Sequence, residues 1–176
     1  MKILQKICFV LLLTTLSSVY GGSCGDGDVD DCRVLAKQGN SVAQYNLGLA
    51  YNNGQGVLQD YKESFKWWRL AAEQGDSSAQ YNLGGMYDKG QGVVQDYKES
   101  VKWYRKAAEQ GDSPSQNNLG YMYSEGQGVV QDYKEAVKWF RKSAEQGNAK
   151  SQHNLGVMYE DGLGVIQDYK ESVTWW

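Results

Sequence analysis

The chain repeats itself every 36 residues. Residues 40–75, 76–111 and 112–147 superimpose without a gap, and residues 148–176 are a fourth copy that stops after 29 positions. Going backwards, Leu35-Ala-Lys-Gln-Gly39 aligns with Ala71-Ala-Glu-Gln-Gly75, so a half copy lies within residues 22–39, before the first full one. A unit this short cannot bury its own apolar face. Copies at a period of about 20–50 residues therefore stack on one another and share a continuous core.

Each copy reads as two helices. The first runs from about Ser41 to Tyr51 and ends at Gly54-Gln-Gly56-Val57. The second begins at Asp60, whose spacing to Glu63 is that of a capping box, and the box recurs as Asp96/Glu99, Asp132/Glu135 and Asp168/Glu171. On the second helix Tyr61, Ser64, Phe65, Trp68, Ala71 and Ala72 share one face, with Lys62, Lys66, Arg69 and Glu73 on the other. No strand pattern competes, so the expected fold is an all-α solenoid of stacked antiparallel helix pairs. Composition fits this: of 21 glycines, 17 fall at repeat positions or in the half copy, and the single proline, Pro114, sits in the first turn of a helix.

The copies also show where they are allowed to differ. Gln44, Leu47, Gly48 and Tyr51 have the same residue in all four copies and cluster on one side of the first helix, which reads as the packing face. Gly48, Gly84, Gly120 and Gly156 are expected to let the partner helix approach closely. Positions 42, 45, 49, 52 and 53 vary and fall on the opposite side. Across copies this stripe gives Tyr45, Tyr81, Asn117 and His153; then Leu49, Gly85, Tyr121 and Val157; then Asn52, Asp88, Ser124 and Glu160. It reads as a face free to carry specificity, so that Tyr45 and Tyr81 are removable without loss of stability; the plainer alternative is an exposed face that drifts. Asn46, Asn82, Asn118 and Asn154 lie beside the stripe and do not vary. Amides carry donors and an acceptor, so this ladder can pair with the backbone of an extended peptide, or each amide can bond to a neighbouring repeat. Trp67, Trp103, Trp139 and Trp175, each followed by a second aromatic, read as core between helix pairs.

The motifs A-Q-Y-N-L-G-x-x-Y-x-x-G-Q-G-V (Ala43 to Val57), D-Y-K-E-S-F-K-W-W (Asp60 to Trp68) and A-A-E-Q-G (Ala71 to Gly75) closely resemble the Sel-1-like repeat, a relative of the tetratricopeptide repeat. The resemblance covers residues 40–176. It implies a right-handed superhelix whose concave groove is lined by the first helix of each pair. It also implies a non-catalytic scaffold or adaptor role, often in exported bacterial proteins, with a protein or peptide as partner and no cofactor. Some cysteine-rich relatives are β-lactamase-like or penicillin-binding, which makes a cell-wall-acting enzyme the alternative. This chain departs from them in having its mature cysteine pair before the first full repeat.

The ends carry other signals. Lys2 and Lys6 precede the apolar run Ile7–Leu16 and then small residues, the pattern of a secretory signal peptide over residues 1–21. Cleavage there removes Cys8 and leaves Cys24 and Cys32, which in an oxidising compartment are expected to form a disulfide. Cleavage before Cys24 would instead leave a lipoprotein, but Gly21 stands where that signal wants an aliphatic residue. The mature chain then has 16 basic against 21 acidic side chains, a net charge of −5, with no basic run, which argues against a nucleic-acid partner. No segment other than the signal is apolar enough to span a bilayer. A single histidine excludes multi-histidine metal sites. No S-x-x-K or H-E-x-x-H occurs, so neither signature supports catalysis. The fourth copy stops at Trp175-Trp176 without the segment that closes the others. It reads first as a fragment of a longer array, and otherwise as an edge that meets another molecule or a second copy.

Overall fold

A computed structural model of the chain describes residues 29–175; the expected signal peptide, Cys24 and Trp176 lie outside them. Among the described residues are nine helices and no strand. Helix α1 (Val29–Lys37) precedes four pairs: α2 (Ser41–Asn53) with α3 (Tyr61–Glu73), α4 (Ser77–Lys89) with α5 (Tyr97–Glu109), α6 (Ser113–Glu125) with α7 (Tyr133–Ala144), and α8 (Ala149–Asp161) with α9 (Tyr169–Trp175). The main packing joins helices consecutive in the chain, and the core is a string of small clusters. This is an all-α solenoid.

Caps set the helix boundaries. Asn40, Asp76, Asp112 and Asn148 each accept a hydrogen bond from the backbone N–H three residues on, at 2.8 to 3.1 Å. The first helix runs two residues past the expected Tyr51 and ends at Gly54, whose φ of 68° is the left-handed cap. At the second helix only half of the expected capping box forms. Asp60 accepts from the N–H groups of Lys62 and Glu63, but Glu63 does not reach back. The Asp60 N–H instead donates to the Tyr51 carbonyl at 2.9 Å, because the loop folds back onto the last turn of α2. Glu63 is thereby released to pair with Lys66. The same substitution of partners occurs at Asp96, Asp132 and Asp168.

Within a pair, the mid-helix glycine faces an aromatic ring. A Cβ added at Gly48 would lie 2.4 Å from the Trp68 ring, at Gly84 2.7 Å from Tyr104, and at Gly120 2.7 Å from Phe140. What approaches closely is therefore a flat side chain of the second helix, which explains a helix-weakening residue held mid-helix. The preceding aromatic has a different duty. Trp103 joins the cluster built by Trp68, Ala71 and Ala72 of the previous repeat, and Trp139 joins Val101, Tyr104 and Ala108.

Between pairs, a buried amide ties each repeat to the one before. The side-chain amide of Gln44 donates to the Ala36 carbonyl, that of Gln80 to Ala72, that of Gln116 to Ala108 and that of Gln152 to Ala144, at 3.0 to 3.3 Å. These carbonyls sit in last helical turns, where each also accepts the backbone N–H of the glycine three residues on, and the amide takes the remaining lone pair. Gln74, Gln110 and Gln146, at the ends of second helices, then donate to the oxygens of Gln44, Gln80 and Gln116 at 2.6 to 2.8 Å. A second tie runs from Arg33, Arg105 and Arg141 to the hydroxyls of Tyr51, Tyr123 and Tyr159 in the next first helix.

Gln116→Leu keeps the volume but removes the side-chain bonds to the Ala108 carbonyl and from the Gln146 amide across the junction. It is expected to cost about 1–3 kcal/mol and to split urea unfolding into two transitions, because the lost energy is a junction term in a linear array. Gly120→Ala should cost about 1–3 kcal/mol through overpacking, with part recovered in the double variant carrying Phe140→Leu. Circular dichroism against urea reads both.

Candidate functional site

The first helices divide into two faces. Ala43, Gln44, Leu47 and Gly48 of α2 are buried, as are their counterparts in α4 and α6. The variable side is less free than its variation implies. Val42 is exposed, but Tyr45 and Leu49 pack half-buried against the Trp68 cluster. Tyr81 packs against the next cluster, its ring centre 5.9 Å from that of Tyr104. The expectation that Tyr45 and Tyr81 leave stability untouched is therefore corrected: the same rings close the seam between repeats. Ser124 is buried too, and its hydroxyl donates to the Tyr121 carbonyl at 2.8 Å.

Among the described residues, two hollows bear on this side. The larger, about 820 Å³, spans α2, α4 and α6 and draws together Asn52, Tyr81, Asn82, Asp88, Asn118 and Tyr121 from the variable stripe and the asparagine ladder. Its floor is Tyr104, only 4% exposed, and Tyr97 and Gln95 close one end. A smaller hollow of about 440 Å³ between α6 and α8 is lined by Asn117, Tyr121, His153 and Asn154, together with Ala149 and Lys150. Tyr45, Asn46, Leu49, Ser124, Val157 and Glu160 line neither hollow.

The asparagines of the later repeats bond to one another and to their neighbours. Asn154 donates to Asn117 at 3.4 Å, and Asn117 donates to Asn118 at 3.3 Å. The Ser151 hydroxyl donates to Asn117 at 2.9 Å. Asn118 also bonds to the Tyr104 hydroxyl. Burial pushes that hydroxyl well above the usual tyrosine range, the nearby Asp88 charge adds to the effect, and the Asn118 bond opposes it. Tyr104 therefore stays protonated. Among the described residues no group of three or more His, Cys, Asp or Glu side chains is placed to hold a metal. No described helix is long and apolar enough to cross a membrane.

Several features escape the sequence reading. The glutamine tie lay at a position seen to be constant, yet constancy alone does not tell a buried amide from an exposed one. Gly85 belongs to the variable stripe and shapes the larger hollow by leaving its floor open. Leu58, Val94, Val130 and Ile166 occupy one repeat position and are 85% to 91% exposed, an aliphatic row along the loops that the alignment contains but whose exposure only the fold displays.

A model of the Sel1 repeat matches residues 41–76, 77–112, 113–148 and 149–176. Among solved structures, a protective antigen of uropathogenic Escherichia coli strains displaying an SLR fold is 47% identical, with a TM-score of 0.82 over 84% of this chain and 32% of that one. A Sel1 repeat protein from Oxalobacter formigenes is 40% identical, with a TM-score of 0.75 over 78% of this chain and 57% of that one. The cysteine rich protein B of Helicobacter pylori shares the fold at 24% identity, with a TM-score of 0.58 over 74% of this chain and 97% of that one. The chain thus spans about a third and somewhat over half the length of the first two. No curated protein matches it.

The packing of the stripe gives a direct test. Tyr81→Ala is expected to destabilise by about 1–3 kcal/mol, whereas Tyr121→Ala, at a ring 49% exposed, should stay within about 0.5 kcal/mol of the parent. Thermal unfolding of the two single variants separates them.

Proposed function

The chain belongs to the Sel1 repeat family, whose members are generally protein-interaction scaffolds, and on that premise we propose that it is a non-catalytic scaffold holding a protein or peptide segment outside the cytoplasm. The observation that carries this reading is the hollow of about 820 Å³ along three successive first helices, with tyrosines and amides on its walls. Tyrosine brings a large contact area at low entropic cost, and amides offer both a donor and an acceptor to a peptide backbone. Protein-interaction sites need such a cluster of aromatic anchors more than they need area.

Export is supported by the charged and apolar pattern of residues 1–21, and in this reading Cys24 pairs with Cys32, a buried residue of α1. The disulfide then clips the residues ahead of α1 to the first junction of the array. No residue of the hollow sits as a nucleophile beside a general base, and its buried hydroxyl, Tyr104, is held protonated.

Peptides selected from a random displayed library on the folded chain are expected to lose at least tenfold affinity for Tyr121→Ala, with Tm nearly unchanged. Arg69→Ala, on the opposite face, should bind them as the parent does. Equal affinity for Tyr121→Ala together with loss in Arg69→Ala would move binding to the second-helix face and overturn the groove reading.

A further inference from the structure

Resting on that groove reading, we propose that the second repeat contains a pocket for one basic side chain of the bound segment, an arginine above all, seated over Gly85 between Tyr81 and Tyr121 and facing Asp88.

Gly85 makes the pocket. The equivalent positions carry Leu49, Tyr121 and Val157, and only the second copy has no side chain there. A Cβ built at Gly85 would lie 3.5 Å from the Tyr104 hydroxyl, an ordinary contact, so the glycine is not required by crowding. It is also not required by the backbone, since Gly85 is absent from the positive-φ glycines. A mid-helix glycine costs about 0.5–1 kcal/mol relative to alanine. Unlike Gly84 beside it, which must clear the Tyr104 ring, Gly85 yields nothing to packing; what it yields is space above the buried Tyr104 hydroxyl.

The walls of that space suit a cation. Tyr81, Tyr97, Tyr104 and Tyr121 present aromatic rings, whose faces attract an organic cation. Asp88 is one turn on from Gly85, is half-buried, and acts electrostatically on Tyr104 at the floor. It also lies in the last turn of α4, where helix carbonyls already concentrate negative potential and a carboxylate is unfavourable for the helix itself. A bound cation relieves both. Lys89 is the other charged group lining the hollow, but it is exposed at the rim, where solvent screens it. Asn82, Gln91 and Asn118 bring amide groups to the same walls, and a guanidinium, with five donors in a fixed fork, uses such acceptors better than an ammonium does.

The pentapeptide acetyl-Ala-Ala-Arg-Ala-Ala-amide tests this, titrated into the isotope-labelled chain by NMR. Its citrulline and lysine forms serve as the comparison arms. The arginine form is expected to shift the backbone amides of Gly85 and Asp88, the lysine form to do so more weakly, and the citrulline form to bind at least tenfold more weakly. Gly85→Leu, which copies the residue of the first repeat, should raise Tm and abolish the shifts. Asp88→Asn should weaken the arginine form at least tenfold. Equal binding of arginine and citrulline forms, or unchanged binding to Gly85→Leu, overturns the basic-side-chain pocket. Library-selected peptides that still depend on Tyr121 but lack basic residues would overturn the pocket while the groove reading stands. Loss of that dependence would remove the groove reading itself.

Discussion

One buried side-chain amide per junction holds this molecule together. A helix pair of this size cannot close a core alone, so its stability comes from the next pair. The surfaces that meet there include the last turn of a helix, whose carbonyls accept one backbone N–H from the closing turn and keep a second lone pair that is costly to bury unused. The glutamine of the first helix fills that lone pair, and the oxygens of Gln44, Gln80 and Gln116 are in turn satisfied by the glutamine closing the second helix. The amide thus spends both ends at the junction, one to each neighbouring helix end. Apolar packing of Trp103 and Trp139 against the preceding repeat can then proceed without leaving polar atoms of the helix end stranded.

Once the junction is set, the interior of each pair follows from ring against glycine. Gly48, Gly84 and Gly120 each accept the face of a ring, and three different aromatics serve. The tolerance for tryptophan, tyrosine or phenylalanine there means the choice can be made for other reasons. In the second repeat the choice is tyrosine, and its hydroxyl reaches through to the opposite side, beneath Gly85 and beside Asn118. A packing residue in one copy becomes the floor of a hollow. Repeat architecture permits this because each copy needs only its neighbours, so one unit can change locally while the stack is preserved.

Much of this was legible beforehand, for reasons that are local. Helix starts depend on a side chain reaching a backbone group two or three residues away, so Asp60 and its counterparts could be read as caps directly, while the same role of Asn40, Asp76, Asp112 and Asn148 emerges only in the fold. The second half of the capping box could not, because whether Glu63 is needed depends on where the loop before Asp60 lands. Most of the variable stripe lies away from the buried face, yet variation is not the same as exposure. Tyr45 and Tyr81 vary and still pack against the clusters shared by adjacent repeats, whereas His153 at the same repeat position is exposed. Ser124 shows the same error in a smaller form: a short polar side chain near a helix end turns back onto the Tyr121 carbonyl of its own helix.

The sequence by itself determined the period, the two-helix unit, the caps and the polarity of each helix, because all of these rest on spacings of a few residues or on exact recurrence at 36. Tertiary structure alone decided which polar groups are consumed at junctions, which variable residues remain accessible, and that a missing side chain at Gly85 opens onto Tyr104 with Asp88 at its edge. Those outcomes depend on three helices meeting at one point, and the distances between them are not a property of any one copy.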